Sequence, residues 1–357
     1  MEVKRQLIVE TVAVVNDFIY YSIKNGSGLY RYDIRSGSNT KVSCFRANIG
    51  AETELYNYAF VWNDKIFFSP YNACTTAIYD LTDNKIEYDS SYDEMFMFLK
   101  NKKSPLYFKY MVINNFVYII GLWNEVFIYK MDMVNKNGHE IQSIKELSDK
   151  WLSLRNSFWD KNVCLIPSPD EDKYYELDVN TEQITVKDVP VDICAPFGIA
   201  KNYNCTYFLG GMGGSLYNYH QHEKTVEKIF SYANDNVKDG TRYANMEFAN
   251  GKLYFVPEPA SVQYVFSIYD INNKRMAKID GKKKNDFVFL IGNCANQMVF
   301  YSQTYNKFIT IEDESYLRYW NIEGQDEDVV MYFPNSVINE DSVWTLTGFV
   351  CDVLKED

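Results

Sequence analysis

The residue types that could do chemistry are few in this chain, and each is set where chemistry is hard to do. His220 and His222 stand two apart in "YNYHQHEKT" (217–225). On a strand that spacing puts both rings on one face, as a metal site requires. No third ligand accompanies them and the segment falls at a turn, so they are expected as exposed turn histidines, with no metal. Carboxylates crowd "IEDES" (311–315) and "GQDEDV" (324–329). Glycoside hydrolysis needs two carboxylates at fixed separation across a cleft, whereas runs of adjacent acids read as solvated loops. "GGMGGS" (210–215) lacks the Lys and the following helix of a phosphate-binding loop and suits a hairpin connection instead. There is no GxSxG nucleophile elbow. No catalytic residue is assigned and no cofactor is expected.

A better candidate site is aromatic and cationic. It comprises Tyr56, Tyr107 and Tyr243 with Arg46, Arg155 and Arg242. Tyr and Arg combine large contact area with a polar handle, which suits binding. That these six share one level follows from the elements that carry them.

Those elements repeat. A turn followed by an apolar strand recurs as "VNDFIYYSI" (15–23), "WNDKIFFSP" (62–70), "INNFVYIIG" (113–121), "WDKNVCLIP" (159–167), "NYNCTYFLG" (202–210), "ANGKLYFVP" (249–257) and "CANQMVFYS" (294–302). Their last residues, Ile23, Pro70, Gly121, Pro167, Gly210, Pro257 and Ser302, step by 47, 51, 46, 43, 47 and 45. A second phrase, "LYRYDIRSG" (29–37), returns as "AIYDLTDNK" (77–85), "YYELDVNTE" (174–182) and "FSIYDINNK" (266–274). A period in the forties with four strand-like segments per period predicts an all-β propeller of four-stranded antiparallel blades. Asn63-Asp64 and Asn250-Gly251 suit the first hairpin of a blade, because these residues tolerate positive φ. The Asp that ends the third strand (33, 80, 132, 178, 270) can accept backbone N–H bonds two residues on and shape the next turn.

"NEDSVWTLT" and "FVCDVL" near the C-terminus echo the repeat once more, and "KRQLIVE" (4–10) reads as an orphan fourth strand. Eight blades are therefore predicted, the last closed by the N-terminal strand, within a single domain spanning 1–357; seven blades is the alternative. Insertions at 91–104 and 144–156 read as short helices, 231–246 as a polar loop, and 303–319 as a long connection between the second and third strands of repeat seven. All fall on one predicted face, around the mouth of the central channel. That face is the expected binding face, because loops carry function.

"NDFIYYSIKNGSGLYRYDIRSG" resembles a blade of bacterial β-propellers of the kelch-like and related aromatic-Asp repeat types. The kelch double Gly with a spaced Tyr is matched by Gly210-Gly211 and Tyr217. The resemblance implies a non-enzymatic platform for a protein or glycan ligand. The alternative it carries is a carbohydrate-active enzyme, a lyase or hydrolase using acids at the channel mouth.

Composition narrows the partners. A net charge of −12 with only one dense basic run, Lys282-Lys283-Lys284, argues against nucleic acid. No run of about 18 apolar residues suggests a membrane span. Seven cysteines without a CxxC pair, most of them in apolar runs, read as buried free thiols. A cytoplasmic monomer is expected.

Overall fold

The computed structural model describes residues 5–6, 8–24, 26–46, 55–100, 109–121, 127–211, 213–231, 242–259, 261, 264–281 and 286–324. These form seven four-stranded antiparallel sheets, each built from strands consecutive in the chain. They are the blades of a propeller. The innermost strands run Val9–Val15, Tyr56–Trp62, Lys109–Ile113, Phe158–Asp160, Gly198–Asn202, Tyr243–Ala249 and Val288–Cys294.

Burial falls from the second strand of each blade to the fourth. In blade two, Lys65–Pro70 is buried at every position after the first, while Lys85–Tyr88 has no buried residue. A second strand lies between two neighbouring blades, so both its faces meet apolar surface and its sequence reads as a continuous apolar run. The turns obey the sequence. Asn63 and Asp64 both take positive φ (47° and 56°), as do Asn250 and Gly251 (52° and 74°). Asp33, Asp80, Asp132 and Asp178 each accept the backbone N–H of the residue two positions on, at 2.8–3.0 Å. Asp270 accepts from Asn273 instead, at 2.9 Å.

Seven apolar clusters fill the gaps between blades, one for each adjacent pair. The decisive one joins blade seven to blade one. It includes Tyr21, Tyr30 and Tyr32 from blade one and Phe308, Trp320 and Tyr301 from blade seven. Phe308 meets Tyr21 edge-on at 5.8 Å between ring centroids, and Tyr32 at 5.2 Å. The Ala295 N–H also donates to the Asn16 carbonyl at 3.2 Å. The ring is thus closed with seven blades, which corrects the expectation of eight. No space separates blades seven and one. Val9 and Glu10, read as part of an orphan outer strand, belong to the innermost strand of blade one. Only Arg5–Gln6 pairs elsewhere, antiparallel to Glu323–Gly324 beyond the last strand of blade seven. The C-terminal echo of the repeat, 338–357, lies outside the described residues.

Two further expectations are corrected. Residues 303–319 are not one long connection: Lys307–Glu312 and Tyr316–Asn321 are the third and fourth strands of blade seven. The repeat is hard to read there because a Glu, Glu312, stands where five of the other blades have the Asp. The six described cysteines are free, but only Cys164 and Cys294 are buried; Cys44, Cys74 and Cys194 are exposed and Cys205 is half-buried. Among the described residues no helix is long and apolar enough to cross a membrane.

Candidate functional site

The connections between blades and the loops joining second to third strands share one face. They are tied there by backbone hydrogen bonds, such as Tyr71 N–H to Leu55 O (2.9 Å), Glu258 N–H to Arg242 O (2.7 Å) and Gln303 N–H to Phe287 O (2.9 Å). The helix predicted in the first insertion is present as α1, Asp93–Lys100. It buries Met95, Phe96 and Leu99 in the gap between blades two and three. Asp93 holds it down, its Oδ1 accepting from Thr76 N–H and Thr76 Oγ1, both at 2.8 Å. The insertion at 144–156 is less regular than predicted, with a single helical turn, α2 (Gln142–Lys145), and a 3-10 turn at Leu154–Asn156. In the polar loop, 232–241 lie outside the described residues and Tyr243 already opens a strand.

The 3-10 turn reaches across the ring. Asn156 is fully buried, and its amide reads the backbone of blade six: Nδ2 donates to Ala244 O at 3.3 Å and Oδ1 accepts the Met246 N–H at 2.9 Å. Blade five lies between these two blades, yet it does not block the contact. Its innermost strand begins at Gly198, where a Cβ would sit 3.3 Å from Met246 and 3.5 Å from Asn156. Asn156 therefore fixes Arg155 beside it. The Arg155 guanidinium donates to the Val288 carbonyl of blade seven at 3.2 Å and lies 5.5 Å from the Phe289 ring. Blades four and seven are three steps apart in a ring of seven, so this bond crosses the channel. So does the ion pair of Lys109, in blade three, with Glu247, in blade six, at 3.0 Å. Lys109 also donates to Ser157 O at 2.6 Å.

Burial lowers the Arg155 pKa to about 10, which leaves it charged at neutral pH. Among the described residues no carboxylate pairs with it. A desolvated cation without a counter-ion is costly.

The other candidates are placed as follows. Arg46 is exposed; its guanidinium stacks 4.6 Å above the Tyr88 ring, and its N–H donates to the Tyr88 hydroxyl at 2.6 Å. Tyr56 is buried and packs on Phe45 and Phe68. Burial raises the pKa of its hydroxyl. Tyr243 is buried against Phe255 and Phe230, its hydroxyl 2.6 Å from Ser267 Oγ. Arg242 is exposed, and its backbone is bonded to Ser261. Tyr107 lies outside the described residues. The structure thus sets Arg155 in the channel, Arg46 and Arg242 on the surface, and Tyr56 and Tyr243 inside blade interfaces.

Sequence reasoning passed over Lys109, Glu247, Asn156 and Trp151. Lys109 and Glu247 had left a faint signal, single charges of opposite sign within innermost strands. Trp151 is 47% exposed beside Phe197, at 6.4 Å between rings.

No family model and no curated protein matches the chain. Solved structures do. YCF48 bound to D1 peptide superposes with a TM-score of 0.53 at 9% identity, over 85% of this chain and 93% of that one. A catalytically inactive virginiamycin B lyase from Staphylococcus aureus, with quinupristin, gives 0.51 at 11% identity, over 86% and 97%. The extracellular domain of a proposed one component system from B. thetaiotaomicron gives 0.51 at 9% identity; the chain matches over 84% of its own length and 38% of that protein's. At such identities the likeness is one of fold, the β-propeller.

Proposed function

We propose that the protein is a binding platform that takes a protein or glycan ligand at the mouth of its channel, on the loop-bearing face. The observation that carries this is Arg155, a half-buried guanidinium held in place by Asn156 and left without a carboxylate among the described residues. It calls for an anionic group on the ligand, a peptide carboxylate or an acidic sugar. Arg242 and Arg46 supply further cationic surface, and the exposed face of Trp151 offers a ring on which a sugar or side chain stacks. Tyr56 and Tyr243 support the site from within the blade interfaces. The acids of the innermost strands favour binding over hydrolysis, since each is engaged: Glu247 by Lys109, Asp160 by Lys201 at 2.8 Å, and Glu10 by the Ser22 hydroxyl at 3.2 Å. That YCF48 was solved with a peptide makes peptides the first class to try.

The test is a screen of acidic peptides and uronic-acid oligosaccharides against the wild-type chain, repeated with R155Q/R242Q. Ligands found in the screen should bind the double variant at least about tenfold more weakly, about 1.4 kcal/mol, with the thermal midpoint held within a few degrees. Unchanged binding would remove the site from this mouth.

A further inference from the structure

Blade five breaks the repeat on the opposite face. In five other blades the Asp that ends the third strand lies directly across from the first residue of the second: Phe18 with Asp33, Lys65 with Asp80, Phe116 with Asp132, Val163 with Asp178, and Lys252 with Asp270. In blade five the same pair is Cys205 with His220. Those Asp side chains bond the backbone of the turn that follows. Among the described residues no backbone N–H donates to the His220 ring, so blade five gives up the cap. Blade seven also departs from the Asp, but Glu312 there keeps a carboxylate; blade five alone sets an imidazole opposite a thiol.

The ring is engaged elsewhere. Nδ1 of His220 lies 3.5 Å from Cys205 Sγ, and Nε2 lies 3.1 Å from the Asn218 amide and 3.8 Å from Glu227 Oε2. Asn218 is 4% exposed, and its Oδ1 has no hydrogen-bond partner. A half-turn of that amide sets Oδ1 against Nε2–H, which fixes the tautomer and turns the Nδ1 lone pair toward the thiol. Thiol, base and orienting amide then stand in line, the order in which a cysteine nucleophile is activated. The thiol is half-buried at the rim, beside the first turn of the blade, where Tyr203 is 90% exposed. No other cysteine among the described residues has an imidazole in reach. Cys164 and Cys294 are buried, which pushes each thiol up to about 12.

We propose that Cys205 is a nucleophilic thiol that forms mixed disulfides with small disulfide compounds, with His220 as proton acceptor and Asn218 as a positioning residue. In the step, His220 Nδ1 takes the thiol proton and the Cys205 sulfur attacks one sulfur of the disulfide. One S–S bond forms and one breaks. The departing thiolate collects the proton from the imidazolium, so that a thiol and a disulfide give a thiol and a disulfide.

The full chain treated at neutral pH with substoichiometric 4,4′-dithiodipyridine, then mapped by peptide mass spectrometry, tests this. Cys205 should be modified about tenfold or more faster than Cys44, Cys74 and Cys194, although these are more exposed. H220Q should bring Cys205 down to their rate. N218A should slow it partly and N218D should restore it, a pattern that loss of packing alone does not produce. The rates at Cys44 and Cys194 serve as an internal control for folding in each variant. If Cys205 in the wild-type chain reacts no faster than the exposed thiols, or if H220Q folds and leaves its rate unchanged, the proposal is wrong.

Discussion

At the residue scale, most side chains that looked chemically interesting do structural work. The recurring Asp shapes a turn, and in Asp80, Asp132 and Asp270 the carboxyl is held below its ordinary value of 3.8 as a result. In Asp132 the Asn135 N–H does this, in Asp270 the Asn273 N–H, and in Asp80 the Asp83 N–H together with Lys65. Asp89 goes furthest, to about 2, because the Ser91 hydroxyl and N–H and then Lys136 favour its charged form. A folded pKa below the unfolded one means stability that is complete above about 4 and lost as pH falls through the folded value. Urea midpoints should therefore drop between about pH 4 and pH 2. D132A should flatten part of that drop and cost about 1 kcal/mol at pH 7; an unchanged acid limb in D132A would refute the assignment. Tyr56 and Tyr243 show the converse, since large rings at a promising level of the blade went to packing.

At the element scale, a blade is a sheet that cannot bury itself, and its loops are shaped by what they dock on. The Gly-rich stretch 210–215 is the loop between second and third strands of blade five, as its sequence suggested. Its composition has a steric cause. Gly213 has φ +87°, and a Cβ there would lie 2.5 Å from the Tyr243 carbonyl oxygen. The Tyr243 N–H in turn donates to the Gly213 carbonyl at 3.0 Å, so the loop of blade five is fastened to the start of blade six. G213A should destabilise the protein by about 2 kcal/mol or more, since both the left-handed backbone and the contact oppose it. G211A, where a Cβ would come no nearer than 3.8 Å to the Ser215 hydroxyl, should cost less. Denaturant titration of the two variants checks the order; equal losses would show that the contact with Tyr243 is unimportant. Helix α1 follows the same logic, because an insertion survives by covering apolar surface between two blades.

At the scale of the whole molecule, the ring makes neighbours of residues far apart in sequence. Lys109 and Glu247 are 138 positions apart, yet their pair crosses the channel at 3.0 Å. Both are largely withdrawn from water, at 21% and 24% side-chain exposure. A double-mutant cycle of K109M and E247Q should give a coupling of about 1 to 2 kcal/mol, with each single variant less stable than the double. A coupling near zero would mean that the channel is wet enough to screen the pair. The propeller class, the strand order within blades and the turn-forming Asp residues were all legible in the sequence, because they rest on local rules: apolar runs, turn chemistry and a period in the forties. The number of blades was not. An echo of the repeat at the C-terminus suggested an eighth, but ring closure depends on whether blade seven can cover blade one, and that is decided by Phe308 and Trp320 meeting Tyr21 and Tyr32. The site divides in the same way. The sequence alone nominated Arg155 as one of six equals. Only the tertiary structure separated it from buried Tyr56 and Tyr243, and from Arg46 resting on Tyr88, because partial burial, and the lack of a carboxylate partner among the described residues, depend on what the rest of the ring brings to the channel.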